Sequence, residues 1–314
     1  MPEVTSERLV DLLGERGWHA AVLPIERLTD LRAELEASLP SLDPGVRDVV
    51  ERNLDPRLEH DAVARGARSL VVVVVPHACA RATVSLEGRL RDVPIPTTYC
   101  HHGEIQREVA DVIAAAVAHA GLWATLARLP EKLVAVGAGL AFYGRNNIAY
   151  AEGCGSFCEL AVCASDLPPA GDPWTGPRLL ARCETCRACQ RACPTGAIDA
   201  DRFLLHGDRC LTLHNESERP FPAWIDPAWH HSLWGCLRCQ RCCPEDLTLR
   251  GGVAEAAAFD EHETALLLAG VGRDVLAREV GLRGKLGDLG LLAYDDDFLG
   301  TALARNLRAA LANG

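Results

Sequence analysis

The chain has 314 residues, of which 48% are hydrophobic and 24% are charged, a composition typical of globular proteins and a length sufficient for two domains. Its formal net charge is −11 at pH 7, which argues against a broad nucleic-acid surface because such surfaces neutralise phosphates with Lys and Arg. The longest unbroken apolar run, Leu70–Pro76, is far too short to span a bilayer, so no membrane segment is expected.

The first part of the chain predicts an α/β domain. Apolar residues at helical spacing indicate helices over residues 5–16, 25–38 and 103–119. The stretch Leu70–Val75 is apolar throughout and rich in β-branched Val, which predicts a strand buried on both faces. We expect its end, at Pro76, to open onto a site, since ligands gather at strand ends in doubly wound sheets. Further strands are predicted over residues 123–129, 132–136, 148–151 and 156–165.

Composition also predicts where this domain ends. Pro and Gly are concentrated in residues 166–177, which indicates a linker between the α/β part and a cysteine-rich part. Residues 251–314 have the pattern of short helices, the first of them over residues 253–259. The predicted division of the chain is therefore 1–172, 173–250 and 251–314.

Two cysteine runs carry most of the chemical information in the sequence. The first run is Cys183, Cys186, Cys189 and Cys193 followed by Pro194. This C-x2-C-x2-C-x3-C-P spacing is that of bacterial two-cluster ferredoxins, in which three thiolates hold one 4Fe–4S cluster and the fourth cysteine ligates the other. The second run repeats the pattern with Cys236, Cys239 and Cys243 followed by Pro244.

In this pattern, the cysteine before each proline ligates the cluster held by the other run. This rule predicts the ligands of both clusters. Cluster 1 is predicted to be held by Cys183, Cys186, Cys189 and Cys243. Cluster 2 is predicted to be held by Cys193, Cys210, Cys236 and Cys239. These eight thiolates fill two clusters and leave Cys242 as a spare.

Other uses of these cysteines fit the sequence less well. A pair of zinc sites is the main alternative, since C-x2-C pairs also suit tetrahedral zinc, but zinc does not require the full four-cysteine run. A disulfide framework is disfavoured, because the chain is long and starts with a polar, helix-like segment instead of a signal peptide. We therefore expect a protein of the reducing cytoplasm.

With both runs in place, the chain resembles the epoxyqueuosine reductase family, double-cluster, cobalamin-dependent enzymes related to reductive dehalogenases. The resemblance covers roughly residues 65–250. Besides the cysteines, it rests on the stretches Asp208–Glu216, Gly144–Asn147, Gly155-Ser156 and Ser165–Leu167.

The resemblance implies an α/β (α+β) cobalamin-binding-type domain, then a two-cluster ferredoxin-like module and a short helical C-terminal part. In this family, electrons from a donor such as ferredoxin or flavodoxin pass through two 4Fe–4S clusters to cobalamin. The reduced cobalt then removes oxygen from an epoxide on a tRNA nucleoside, a step of queuosine biosynthesis. By this resemblance, the corrinoid is expected near Arg145, Asn146, Asn147 and Ser156.

The sequence departs from the family where the proton donor is expected. tRNA-acting members have an acidic residue in an Asp-Tyr-His stretch before the helix, whereas Thr98–His101 contains no carboxylate. Reductive C–O cleavage needs a proton for the departing oxygen, so Tyr99, His101 and His102 become the candidate catalytic residues. Cys158 and Cys163 are interpreted as small buried hydrophobes.

Several functional alternatives remain open at this point. The substrate of a reductase could be a small molecule instead of tRNA. An electron-transfer or activator protein would bind the clusters without a corrinoid, and a binding module would hold them only as structural groups. Cys79 has no predicted role, whereas Cys100 and Cys154 lie beside the proposed pocket segments in sequence and could contact substrate or metal.

Overall fold

The computed structural model describes residues 4–53, 63, 65–96, 99–247, 254–294 and 298–313. Its α-helices are α1 (Ser6–Glu15), α2 (Arg27–Ser38), α3 (Pro44–Asn53), α4 (His102–Ala118), α5 (Glu131–Gly137), α6 (Ala188–Ala192), α7 (Leu211–Asn215), α8 (Arg238–Arg241), α9 (Pro244–Leu247), α10 (Glu261–Ala269), α11 (Arg273–Arg278), α12 (Val280–Asp288) and α13 (Leu303–Ala312). Its strands are β1 (His19–Pro24), β2 (Ser69–Pro76), β3 (Ala80–Leu86), β4 (Arg89–Ile95), β5 (Ala124–Leu126), β6 (Ala141–Tyr143), β7 (Ala149–Ala151), β8 (Cys158–Ser165) and β9 (Ala254–Phe259). Among the described residues, no helix combines the length and hydrophobicity needed to cross a bilayer.

The chain forms two compact units, each built from non-consecutive stretches. Unit 1 contains residues 1–77, 103–187 and 200–205. Unit 2 contains residues 78–102, 188–199 and 206–314. The sequence-based division into 1–172, 173–250 and 251–314 stays a prediction about function, and the boundary at 250 lies outside the described residues.

Unit 1 is organised around a four-stranded sheet in the order β1-β2-β8-β5. Neighbouring strands pair antiparallel, with Val72 opposite Val162 in the central pair. The mixed α/β architecture is confirmed, but both neighbours of β2 are antiparallel, unlike the doubly wound sheets on which the expectation of a site at Pro76 was based. A site at that strand end therefore has no support from sheet topology.

The central strand β2 is buried on both faces, as predicted. Val71 and Val73 pack in one hydrophobic cluster with α1 and α4, which contribute Leu13 and Ile113 among others. On the opposite face, Leu70, Val72 and Val74 pack in a second cluster with α2 and α5, which contribute Leu31 and Val134. Alternation of side chains along a strand explains why β2 has Val or Leu at every position from Leu70 to Val75.

Unit 2 contains a three-stranded sheet in the order β4-β3-β9. The hairpin β3–β4 turns at Glu87-Gly88, both with positive φ, as a two-residue type I′ hairpin turn requires. Strand β9 adds parallel to β3, so Val84 lies opposite Phe259 although the two are far apart in sequence. Helices α10–α13 and the loop carrying Trp234 complete the hydrophobic core of this unit.

Three sequence-based assignments of elements differ from the structure. The predicted helix 253–259 is strand β9, with Val253 outside the described residues, because pairing with β3 overrides the helical preference of an Ala-rich segment. The predicted strand 132–136 is helix α5, since a short apolar run does not distinguish helix from strand. Within the predicted strand 123–129, only β5 pairs with β8.

Candidate iron–sulfur site

The first cysteine loop is held by backbone and arginine hydrogen bonds within unit 1. The loop opens with a 3₁₀ turn, Ala181–Glu184, and Cys186 N–H donates to Arg182 O at 3.1 Å. Arg187 folds back over the loop, and its Nη1 donates to the carbonyl oxygens of Cys183 and Cys186 at 3.2 and 3.0 Å. Two predicted ligands of cluster 1, Cys183 and Cys186, thus lie on a loop that orders itself locally.

The turn Gly144–Asn147 connects the hairpin strands β6 and β7. Asn146 is buried, and its Nδ2 donates to the Tyr150 hydroxyl at 2.9 Å. Gly144 is required here, because a Cβ at this position would lie 2.4 Å from the Tyr150 ring and 2.5 Å from Asn146 Oδ1. The hairpin therefore presents Arg145 and Asn147 from a fixed turn.

Both of these side chains bind backbone groups on either side of the first cysteine run. Arg145 Nη2 donates to Cys183 O at 2.6 Å, and Nη1 donates to Ala200 O at 3.0 Å. Asn147 Nδ2 donates to Phe203 O at 2.8 Å, while its Oδ1 accepts from Leu205 N–H at 2.6 Å. The turn predicted for corrinoid binding is thus bonded to the polypeptide of the cysteine-rich part.

Three predicted ligands of cluster 2 lie close enough to influence one another electrostatically in unit 2. Burial raises the pKa of the Cys210 thiol, and the neighbouring Cys193 raises it further. Burial likewise raises the pKa of Cys236 to about 12, with added contributions from Cys210 and Cys193. A bound iron ion reverses this effect, because a coordinating thiol is deprotonated by the metal. These three thiols are therefore suitable ligands for the iron of a cluster.

A buried asparagine links the Cys210 segment to the Cys236 segment. Cys210 precedes α7, and Asn215 at the end of that helix donates from Nδ2 to Gly235 O at 2.6 Å. Ser232 Oγ donates to the same carbonyl at 2.9 Å. From α13, Asn306 Nδ2 donates to Asn215 O at 2.8 Å. These contacts hold together the segments that carry Cys210 and Cys236, two predicted ligands that are far apart in sequence.

The loop of the second run is anchored by a histidine and an arginine. Leu237 N–H donates to His231 Nε2 at 3.2 Å, so the ring proton is on Nδ1, which lies 3.4 Å from Trp229 O. Arg238 Nε donates to the same Trp229 carbonyl at 3.0 Å. Burial lowers the pKa of His231 to about 4, which keeps this ring neutral and able to accept.

Cys242, the predicted spare, has a protein partner of its own. Its Sγ donates to Cys239 O at 3.4 Å, within the second cysteine loop. The remaining predicted ligands, Cys189, Cys239 and Cys243, lie in unit 2. The full ligand sets of both clusters remain predictions.

Tyr99, a predicted catalytic residue, forms a hydrogen bond that the sequence does not predict. Its hydroxyl donates to Glu216 Oε1, and its ring packs edge-on against Trp234 with centroids 5.8 Å apart. Desolvation raises the pKa of Glu216 to about 7, while the Tyr99 hydrogen bond acts in the opposite direction. Desolvation and Glu216 together raise the pKa of Tyr99 well above its ordinary value. The carboxyl group of Glu216 thus lies beside Tyr99, in a stretch that contains no carboxylate of its own.

The other predicted site residues are placed differently. His101 adopts a left-handed conformation with φ +60, directly before His102 opens α4. His102 is exposed and His101 half-buried. Ser156 is buried at 2% exposure in unit 1. Thr98 lies outside the described residues.

Of the five cysteines that precede the first run in the sequence, four belong to hydrophobic cores, and Cys79 is half-buried. Cys158 and Cys163 lie on β8 with 3% and 0% exposure, one in each core of unit 1, as expected for small buried hydrophobes. Cys154 is buried in unit 1 and Cys100 in unit 2. Burial raises the pKa of Cys100 and of Cys163 to about 12, so neither thiol is a nucleophile at neutral pH.

Comparison with known proteins places these features in a family context. Residues 182–246 match the 4Fe-4S double cluster binding domain. This match covers both cysteine runs and Cys210. The chain is similar to epoxyqueuosine reductases. Iron–sulfur clusters therefore account for the cysteines, and the zinc alternative is not supported.

Curated epoxyqueuosine reductases are similar over part of the chain. The enzyme of Cyclobacterium marinum is 34% identical over 127 residues, which are 40% of this chain and 40% of the relative. That of Escherichia coli is 32% identical over 116 residues, or 36% of this chain and 29% of the relative. The matched stretch thus spans less than half the length of these relatives.

Solved epoxyqueuosine reductase structures show the same fold. The selenomethionine-labelled enzyme aligns with a TM-score of 0.62 at 19% identity, covering 98% of this chain and 81% of that one. The Streptococcus thermophilus enzyme aligns with a TM-score of 0.61 at 17% identity, covering 98% and 80%. A third structure contains an epoxyqueuosine-modified tRNA stem loop and aligns with a TM-score of 0.60 at 19% identity, covering 98% and 82%.

The structure supports the two kinds of cofactor to different degrees. The cysteine loops offer thiol donors at the spacing that ferredoxin-type 4Fe–4S clusters require. For a corrinoid, the polar groups of Arg145, Asn146 and Asn147 described above are already bonded to the protein. A cobalamin in this chain therefore rests on similarity to the epoxyqueuosine reductase family.

Proposed function

We propose that the chain is an iron–sulfur reductase that passes electrons through two 4Fe–4S clusters to a cobalamin for reductive cleavage of an epoxide-type substrate. The observation that carries this proposal is the match of residues 182–246, which contain both cysteine runs and Cys210, to the double-cluster binding domain. The similarity to epoxyqueuosine reductases and the shared fold support the reaction type.

In this proposal, the chain's own residues hold and separate the two electron carriers. Cys183, Cys186, Cys189 and Cys243 ligate one cluster, and Cys193, Cys210, Cys236 and Cys239 ligate the other. When bound, a corrinoid supplies low-valent cobalt for C–O cleavage. The buried arrangement around Asn215 and Gly235 keeps water away from cluster 2, which limits loss of electrons to solvent species.

We propose that Tyr99 donates the proton to the departing oxygen, with Glu216 as its hydrogen-bond partner. The hydroxyl of Tyr99 already donates to the Glu216 carboxyl, whose pKa near 7 suits proton exchange at neutral pH. His101 and His102 remain candidates for the same role, since they follow Tyr99 directly. In this scheme, the pair replaces the acidic residue that the stretch lacks.

The substrate is proposed to be an epoxide on a tRNA nucleoside, with a small-molecule epoxide as the alternative. A structural relative with the same fold was solved with an epoxyqueuosine-modified tRNA stem loop, which supports tRNA. The net charge of −11 favours a small molecule, or a tRNA contact restricted to a local basic patch. A ferredoxin or flavodoxin is the proposed electron donor. We propose the cytoplasm as the compartment of the reaction, because the thiol ligands of iron–sulfur clusters persist under reducing conditions.

The first experiment is a metal analysis of protein purified without oxygen. Iron, sulfide and cobalt are measured per chain after reconstitution and addition of cobalamin, together with the visible spectrum of the corrinoid. About eight irons and one base-off corrinoid would support the reductase and justify assays on epoxide substrates, tRNA first. About eight irons without corrinoid would contradict the reductase and favour an electron-transfer protein.

A further inference from the structure

We propose that Arg145 sets the reduction potential of cluster 1 by placing its positive charge on the backbone of the ligand Cys183. This inference rests on the part of the proposed function that assigns Cys183 to a cluster. It gives the turn Gly144–Asn147 a role toward the iron–sulfur centre, in addition to any contact with a corrinoid.

The geometry of the Arg145 side chain carries the first step. The 2.6 Å hydrogen bond from Nη2 to Cys183 O joins the guanidinium to the residue whose Sγ would bind iron. The bond from Nη1 to Ala200 O holds the group from the other side. A side chain tied at two nitrogens cannot turn away when the charge of the cluster changes.

The surroundings of the side chain support an electrostatic role. Within the described part of the chain, Arg145 Nε is buried and has no hydrogen-bond partner. A buried N–H donor without a partner is costly, and the anionic thiolates and sulfides of a cluster on Cys183 are acceptors that its charge would favour. Arg187 also bonds Cys183 O, but from within the same cysteine run, whereas Arg145 approaches from a separate hairpin turn.

The expected direction follows from the charge of the cluster. A 4Fe–4S cluster with four thiolates gains one negative charge on reduction, so a fixed guanidinium stabilises the reduced form more than the oxidised form. Guanidinium groups keep their charge throughout the accessible pH range. Removal of the charge should therefore lower the midpoint potential of cluster 1 and leave that of cluster 2 in place.

The test is a redox titration of three variants, followed by electron paramagnetic resonance of the two reduced clusters. Arg145→Gln removes the charge but retains hydrogen-bond donors. Arg145→Lys retains the charge without the fork of the guanidinium. Asn147→Gly is the matched control, because it removes the two neutral hydrogen bonds of the same turn and tolerates the φ of +57.

We expect Arg145→Gln to shift the reduction equilibrium of one cluster about tenfold toward the oxidised form, or about 59 mV for one electron. The Lys variant and the Asn147→Gly variant should keep both potentials near those of the wild type. Equal potentials in all four proteins would overturn the proposal. An equal fall of the midpoint potential in the Gln and Lys variants would also overturn the proposal, as would a fall of the potential in Asn147→Gly. In either case the hydrogen-bond geometry, and not the charge, would set the potential.

If the Gln variant loses a cluster, the proposal can still be tested with the Lys variant. In that case, a Lys variant with the wild-type iron content and potential supports the role of the charge, and a Lys variant that also loses the cluster refutes it. The result is independent of the reductase proposal. Wild-type protein with about eight irons and no corrinoid would end the reductase proposal but leave this titration fully interpretable.

Discussion

At the scale of single residues, the pairing of Tyr99 with Glu216 predicts a specific pH dependence. Desolvation raises the pKa of Glu216 from 4.5 to about 7, so between these values the folded protein holds a proton that the unfolded chain releases. The contribution of Glu216 to the free energy of unfolding is therefore complete below pH 4.5 and is lost as the pH rises through about 7. Stability in this window should fall with rising pH because of this residue.

The measurement compares the wild type with Glu216→Gln by denaturant unfolding between about pH 4 and about pH 8. The wild type should lose stability relative to the variant as the pH rises. His230 and His231 act in the opposite sense, because burial lowers the pKa of each to about 4, but their effect cancels in the difference. A flat difference would show that Glu216 is not desolvated.

The two neighbouring thiols Cys239 and Cys242 provide a second test at this scale. Cys239→Ala should remove about four irons per chain, because a predicted corner of cluster 2 is lost. Cys242→Ala is the matched control and should keep about eight, since Cys242 belongs to neither predicted ligand set and its Sγ donates to Cys239 O. Equal iron in the two variants, measured with sulfide after reconstitution, would disprove the ligand set.

At the scale of elements, Gly235 controls how closely the second cysteine run approaches its neighbours. Its φ is +63, and a Cβ would lie 2.8 Å from Pro96 Cγ and 2.9 Å from the Tyr99 ring. Gly235→Ala should therefore displace Cys236 and reduce the iron content by about one cluster. The matched control is Gly196→Ala, where φ is +65 and nothing lies within 4 Å of a Cβ. A similar loss from both variants would indicate backbone strain instead of a clash.

The sequence predicts those elements and ligands whose causes are local. Strand β2 was predicted because its residues from Leu70 to Val75 are all apolar, and the cysteine loops because short spacings set their geometry. Strand β9 was missed because its conformation depends on pairing with β3, more than 150 residues earlier in the chain. Glu216, Asn215 and His231 were missed for the same reason, since each acts through a partner that only the folded chain supplies. The family resemblance supplied the corrinoid, which no residue pattern indicates.

At the scale of the whole molecule, the two units should respond differently to loss of iron. Unit 1 has a sheet with a hydrophobic core on each face, whereas the segments around the predicted ligands contain helices of only four or five residues, such as α6, α7 and α8. Helices this short are not stable alone. Chelation should therefore increase amide hydrogen exchange in residues 188–193, 207–215 and 236–243 but not in β2 or β8. Equal exchange in loaded and chelated protein would contradict a structural role for iron.

The parallel pairing of β3 with β9 also has a consequence for biosynthesis. Unit 2 cannot complete its sheet until the ribosome has released Phe259, because that residue pairs with Val84. The cysteines of unit 2, among them Cys193, Cys210 and Cys236, emerge earlier and remain exposed as reactive thiols until this strand pairs. Such long-range pairing is slow to form. Iron delivery to the second ligand set should consequently be a late step, and a nascent chain arrested before β9 should be the form most exposed to oxidation and degradation.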